Sequence, residues 1–204
     1  AVGEPTLIPR PSAGVVGDVA NIEGSIVVLS AEGLWRIDPT SRSWAEVASG
    51  DWSDAVPFGD RLVRLDGAMW EPEVGMSEIA ASDFGTPRET ASWVELGADL
   101  FLLDQGRGFW QYQAASDVWL ELPAPPLYSA AMAITRVGDD VVAADYGMKA
   151  HRWDQSTASW VALPDLPLRS SECLPLPVAG AGVAGFQLCS GIALWRLDGW
   201  IAIP

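Results

Sequence analysis

Short apolar runs, rather than long amphipathic stretches, order this chain. Five of them each follow a glycine: EGSIVVLS, GDRLVRLD, GADLFLLD, GDDVVAAD and GAGVAGFQLC. The glycines are Gly24, Gly59, Gly97, Gly138 and Gly180. They recur at about 40 residues, the period of blade-type repeats. Each run is bounded by turn residues and is too short for a core helix, so each reads as a buried strand. No long segment combines helical periodicity with capping signals.

A second pattern follows each run. GLWRIDPTSRSWAEV (33–47) and FWQYQAASDVWLELP (109–123) each hold two tryptophans nine residues apart. AHRWDQSTASWVALP (150–164) puts His151 in the first position and Trp160 in the second. ALWRLDGWIAIP (193–204) is a shortened copy, and AMWEPEVGMSEIAAS (68–82) keeps only Trp70. A turn centred between Pro39 and Thr40 would set Trp35 opposite Trp44. The same arithmetic pairs Trp110 with Trp119 and His151 with Trp160. Opposed residues of antiparallel strands share a face, and aromatic pairs there are strong packing units.

Each unit then reads as four strands. In the third they are about 91–95, 99–103, 109–113 and 118–122. Five units, approximately 14–50, 51–83, 88–125, 128–167 and 170–204, fill the chain. The predicted fold is all-β, a propeller of five four-stranded blades in a single domain. PTLIPRPS near the N-terminus resembles VALPDLPLRS (161–170), which makes residues 1–13 a candidate closing strand. A fragment of a larger ring and blades completed by a partner chain are the alternatives.

WRIDPTSRSWAEV and HRWDQSTASWVALPDLP resemble the second half of a Kelch repeat: an aromatic strand, Asp, a polar turn, Trp and a Leu-Pro end. The Gly-Gly pair that usually ends the second Kelch strand is absent. The resemblance implies a β-propeller that acts mainly as an interaction scaffold; enzymes are rare in the family.

Charge narrows the partners. Acidic residues outnumber basic ones 27 to 12, a formal charge of -15. A phosphate backbone would repel such a surface, so nucleic acid is excluded as the expected partner. Anionic membranes are disfavoured likewise, and no apolar run approaches the ~20 residues of a membrane span. The start, Ala-Val-Gly-Glu without Met, fits a processed export product or a piece of a longer chain.

Cys173 and Cys189 lie in the fifth unit with their midpoint at Ala181. A hairpin of 173–178 and 183–189 would place them face to face, which predicts a disulfide and an oxidising compartment. The expected location is therefore secreted, periplasmic or cell-surface.

Candidate chemistry is sparse. His151 is the sole histidine and fills a repeat aromatic position. GxSxG, Walker and EF-hand patterns are missing. Asp66, Asp104 and Asp145 recur at the end of the second strand of three units, with Ser30 and Cys189 in that place elsewhere. These carboxylates could hold a calcium ion or bond sugar hydroxyls; as turn starts, they could equally cap their own backbone. The same loop face is expected to carry Trp52, Tyr128, Tyr146, Arg107, Arg169 and Glu89, while Asp99, Asp139 and Asp140 belong to the opposite one. Exposed aromatics beside carboxylates suit a glycan or a protein interface. The expected function is thus an extracellular binding module for a glycan or protein partner. A protein scaffold within a surface assembly is the first alternative. A carboxylate-based glycoside hydrolase, with its acid and base ~5–10 Å apart, is the second.

Overall fold

The computed structural model describes residues 16–38, 40–53, 55–64, 66–80, 91–104, 108–127, 132–145, 147–167, 176–180, 183–188, 191–196 and 199–203. Among them there is no helix. The strands form five four-stranded antiparallel sheets, each in chain order. The first holds β1 (Val16–Ile22), β2 (Ser25–Ser30), β3 (Gly33–Asp38) and β4 (Ser43–Ser49). The second holds β5 (Val56–Phe58), β6 (Arg61–Val63), β7 (Ala68–Glu71) and β8 (Gly75–Glu78). The third holds β9 (Ser92–Leu96), β10 (Asp99–Asp104), β11 (Gly108–Gln113) and β12 (Val118–Leu122). The fourth holds β13 (Met132–Val137), β14 (Asp140–Asp145), β15 (Ala150–Asp154) and β16 (Ser159–Ala162). The fifth holds β17 (Leu176–Gly180), β18 (Val183–Leu188), β19 (Gly191–Arg196) and β20 (Gly199–Ile203). Repeated sheets of this kind are consistent with a β-propeller-like arrangement.

The recurrent glycine has a mechanical role. Glu23 and Gly24 both take positive φ (48° and 82°), the conformation that joins β1 to β2 with a tight hairpin. Gly180 differs: it ends β17 opposite Val183.

The chain forms two compact units, residues 1–79 and 80–204. In the first unit, Ile22, Val27, Leu29 and Leu34 of the first sheet pack with Trp52, Leu62 and Trp70. In the second unit, Phe101, Leu103 and Phe109 of the third sheet pack with Ile134, Val141 and Trp153 of the fourth. The other face of the fourth sheet, through Val142 and Ala144, packs with Phe186 and Ala193 of the fifth. Sheets covered on both faces show successive apolar positions rather than strict alternation, which is why LFLL and VVAA read as continuous runs.

The tryptophan register differs from the expectation by two residues. Trp44 lies opposite Ile37, Trp119 opposite Tyr112, and Trp160 opposite Trp153. Trp35, Trp110 and His151 lie opposite Glu46, Glu121 and Ala162. The turn itself sets this. Asp38 Oδ1 accepts from the Thr40 and Ser41 amides at 2.8 and 3.4 Å. The Arg42 amide donates to the Asp38 carbonyl at 2.8 Å, and Arg42 takes φ 56°. The strands therefore close at Asp38–Ser43, with the turn centred one residue later than expected. Asp154 holds the equivalent turn by accepting from the Ser156 amide at 2.9 Å.

The second tryptophan has a further role. Trp119 Nε1 donates to the Ala80 carbonyl at 3.2 Å, Trp160 Nε1 to Pro123 at 2.7 Å, and Trp200 Nε1 to Pro164 at 2.9 Å. Each indole thus clasps the segment that precedes its own sheet, 36–39 residues earlier. In two of the three cases the acceptor is the proline of a Trp-x-x-Leu-Pro end. Trp160 also rests 4.9 Å from Phe109 and 5.4 Å from Trp153. Trp160→Phe keeps most of the ring packing and removes the donor, which will cost about 1 kcal/mol. Trp160→Ala loses the packing as well and will cost about 3–5 kcal/mol. Urea unfolding with an unchanged m-value checks both figures.

Candidate functional site

In three of the sheets a polar side chain at or just beyond the end of the second strand closes the turn to the third. In the first sheet, Ser30 Oγ donates to the Gly33 carbonyl at 2.8 Å and accepts from the Gly33 amide at 3.1 Å. In the fourth, Asp145 Oδ1 accepts from the Lys149 amide at 3.0 Å, while backbone bonds link Asp145 to Met148 and Lys149. Asp66 Oδ1 accepts from the Ala68 amide at 3.1 Å, and its Oδ2 accepts from Arg64 at 2.7 Å. Asp104 is fully buried at the end of β10, opposite Gly108. A carboxylate that accepts backbone N–H groups is fixed in place, which suits turn closure.

Trp52 is not an exposed aromatic of the loop face. It is 0% exposed and belongs to the first unit's core. Its amide donates to the Ser30 carbonyl at 2.8 Å, which carries the indole inward. Arg64 lies over the ring, 5.3 Å from its centroid, and pairs with Asp66. This Asp66–Arg64–Trp52 stack was not anticipated; the Arg-Leu-Asp spacing was its only trace. Arg107, Tyr128, Tyr146, Arg169 and Glu89 lie outside the described residues.

The cysteine pairing, Cys173 with Cys189, also lies outside the described residues. The adjoining ladder runs from Leu176 opposite Gln187 to Gly180 opposite Val183. Among the described residues no group of three or more His, Cys, Asp or Glu side chains could hold a metal ion. On the opposite ends of the strands, Asp99 accepts from Gln111 Nε2 at 2.7 Å and Asp140 faces Arg152 at 3.4 Å. Asp139 lies in the open turn beyond.

Two half-buried tryptophans near the loop end stand beside exposed carboxylates: Trp35 opposite Glu46 and Trp110 opposite Glu121. A glycine makes room for each. A Cβ on Gly33 would lie 3.3 Å from Trp35 Nε1, and one on Gly108 would lie 3.3 Å from Trp110 Nε1. The pairing was missed because the register was set two residues too early. An indole edge beside an accepting carboxylate can offer both stacking area and a hydrogen bond.

His151 occupies the same repeat position as these tryptophans and is half-buried. Burial lowers its pKa below the ordinary 6.5; Asp145 and Asp165 oppose that shift, and Lys149 reinforces it. The folded chain thus favours the neutral ring. Its contribution to stability is complete above 6.5 and is lost as pH falls below that value. His151→Phe will flatten this limb of a urea-midpoint profile. The carboxylates work at lower pH. The Ser41 hydroxyl and turn amides lower the Asp38 pKa, and the Ser156 hydroxyl with its neighbours does the same for Asp154. Their stabilisation is complete above the ordinary value of 3.8 and is lost as pH falls through the lower folded values. The double variant Asp38→Asn, Asp154→Asn keeps one acceptor oxygen at each turn and will lose part of that acid limb in the same profile.

No family model matches the chain, and no curated protein matches it. Among solved structures, the chain is similar to an extracellular domain assigned to a hybrid two component system of B. thetaiotaomicron. The TM-score is 0.61 at 16% identity, and the match covers 94% of this chain. The chain spans 28% of the length of that structure. At this identity the likeness concerns the fold. Among the described residues, no helix is long and apolar enough to cross a membrane.

Proposed function

We propose that this chain is an extracellular, non-catalytic binding module built of five Kelch-like propeller blades. It engages a glycan or protein partner at the loop end of its sheets. The observation that carries the reading is the fold likeness to an extracellular domain over 94% of the chain. Two features of the site support it. Asp66 and Asp145 spend their carboxylates on turn amides and on Arg64, which leaves them poorly suited as general acid and base. Trp35 with Glu46, and Trp110 with Glu121, repeat a flat apolar edge beside a hydrogen-bond acceptor. The net charge of -15 adds repulsion against nucleic acid and anionic lipid.

A glycan array and a panel of immobilised extracellular proteins, probed with the purified chain, test this reading. Saturable binding to one class is expected, unchanged by chelator. Glu121→Gln is expected to weaken it several-fold without moving the urea midpoint. Turnover of a bound glycan that disappears in Asp104→Asn or Asp145→Asn would establish the hydrolase instead. Absence of binding on both surfaces by a folded sample would overturn the proposal.

A further inference from the structure

The fourth sheet departs from its relatives at one row of side chains. In the first sheet that row is Val28, Trp35 and Glu46, and in the third it is Leu102, Trp110 and Glu121. In the fourth it is Ala143, His151 and Ala162. Directly opposed residues share a face, and Ala143 belongs to the cluster that packs the fourth sheet on the third. His151 therefore faces the third sheet. The next residue of β15 on that face is Trp153, which lies opposite Trp160. Trp160 donates to the Pro123 carbonyl at 2.7 Å and rests 4.9 Å from Phe109. The histidine and this indole clasp thus occupy adjacent rows of one seam, within residues 80–204.

His151 Nδ1 is buried and has no hydrogen-bond partner among the described residues. A neutral imidazole can leave that nitrogen bare and carry its proton on Nε2; an imidazolium must place an N–H on both. A buried N–H without an acceptor is costly, and a buried charge without a counter-charge more so. Across the seam, Phe101, Leu103 and Phe109 of the third sheet are apolar and offer neither. On the fourth sheet, burial disfavours the charged ring most; Asp145 and Asp165 favour it, and Lys149 disfavours it. Both carboxylates are already engaged by Lys149: Asp145 accepts its amide at 3.0 Å, and Asp165 its Nζ at 2.6 Å. Arg152 lies opposite Val142, on the other face of the sheet.

We propose that His151 is an acid-operated latch on the seam between the third and fourth sheets. Protonation of its ring drives the His151 row off the third sheet and loosens the Trp160 clasp, while the Trp119 and Trp200 clasps stay shut. The folded seam favours the neutral ring, so the latch is shut above pH 6.5 and opens as pH falls below that value. The carboxylates of the other turns keep their charge through this window. The latch does not depend on the proposed binding function.

NMR on the nitrogen-15-labelled chain tests it between about pH 7.5 and about pH 5. His151 is the sole histidine, so one ring signal follows its titration. Indole N–H exchange of Trp119, Trp160 and Trp200 is read at each pH. All three share the intrinsic pH dependence of exchange, so the ratio of Trp160 to the other two isolates the latch. That ratio is expected to rise several-fold in step with the histidine signal. In His151→Phe, which restores the aromatic of the related sheets, it is expected to stay flat. Should that variant fail to fold, His151→Gln reads the same loss of titration. Asp165→Asn removes a carboxylate that favours the charged ring and is expected to move the rise to lower pH. A histidine that stays neutral down to pH 5 would overturn the proposal. So would a constant ratio while it titrates, or a rise that persists in His151→Phe or His151→Gln.

Discussion

A four-stranded sheet that is apolar on both faces cannot stand alone in water, and the rest of this structure follows from that constraint. Each such sheet must be covered twice. Within residues 80–204 the fourth sheet meets the requirement with Val141 and Ala143 turned one way and Val142 and Ala144 the other. Apolar burial has no directional preference of its own. Direction and register come from the indole clasp, in which Trp119, Trp160 and Trp200 each reach back to one carbonyl. The Trp-x-x-Leu-Pro end therefore does two jobs. Its tryptophan grips the preceding segment, and its proline offers the next grip.

The same economy of turns bears on function. A recurrent aspartate at a loop face invites a catalytic reading, because paired carboxylates can share acid and base roles. In Asp66 and Asp145 the carboxylate closes a turn. Ser30 stands in the place of Asp145 and closes its turn with the same kind of bonds. A hydroxyl can replace the carboxylate when the task is to accept an amide, but not when it is to shuttle a proton at neutral pH. Among the described residues, that end also carries indole edges beside glutamates, Trp35 with Glu46 and Trp110 with Glu121.

Much of the fold was legible in the sequence. The apolar runs located the strands of the third sheet to within one residue at each end, because continuous hydrophobic runs report burial on both faces. The tryptophan register was not legible. A four-residue turn and a shorter one leave nearly the same trace, and only the αL residue at Arg42, Asp117 or Ala158 separates them. Few positions signal that conformation when the residue is not glycine. Trp52 misled for a different reason. It lies in a connection, where an aromatic is ordinarily surface, yet its backbone bond to Ser30 turns the indole into the core. The Trp–Glu pairs could be found only once the turn was correctly centred. The turn role of Asp66 and Asp145 was readable from their Gly-containing context.

Indole hydrogen exchange, followed by two-dimensional NMR on the nitrogen-15-labelled chain, tests the clasp most directly. Each tryptophan contributes one side-chain signal, and single Trp→Phe variants assign them. The account predicts that the Nε1–H signals of Trp119, Trp160 and Trp200 exchange slowly, and that they lose protection together as urea unfolds the residues 80–204. Exchange of these three at the rate of a free indole in water would contradict it. The sheets would then be stacked by apolar contact alone, and the repeat's tryptophan would have no directing role.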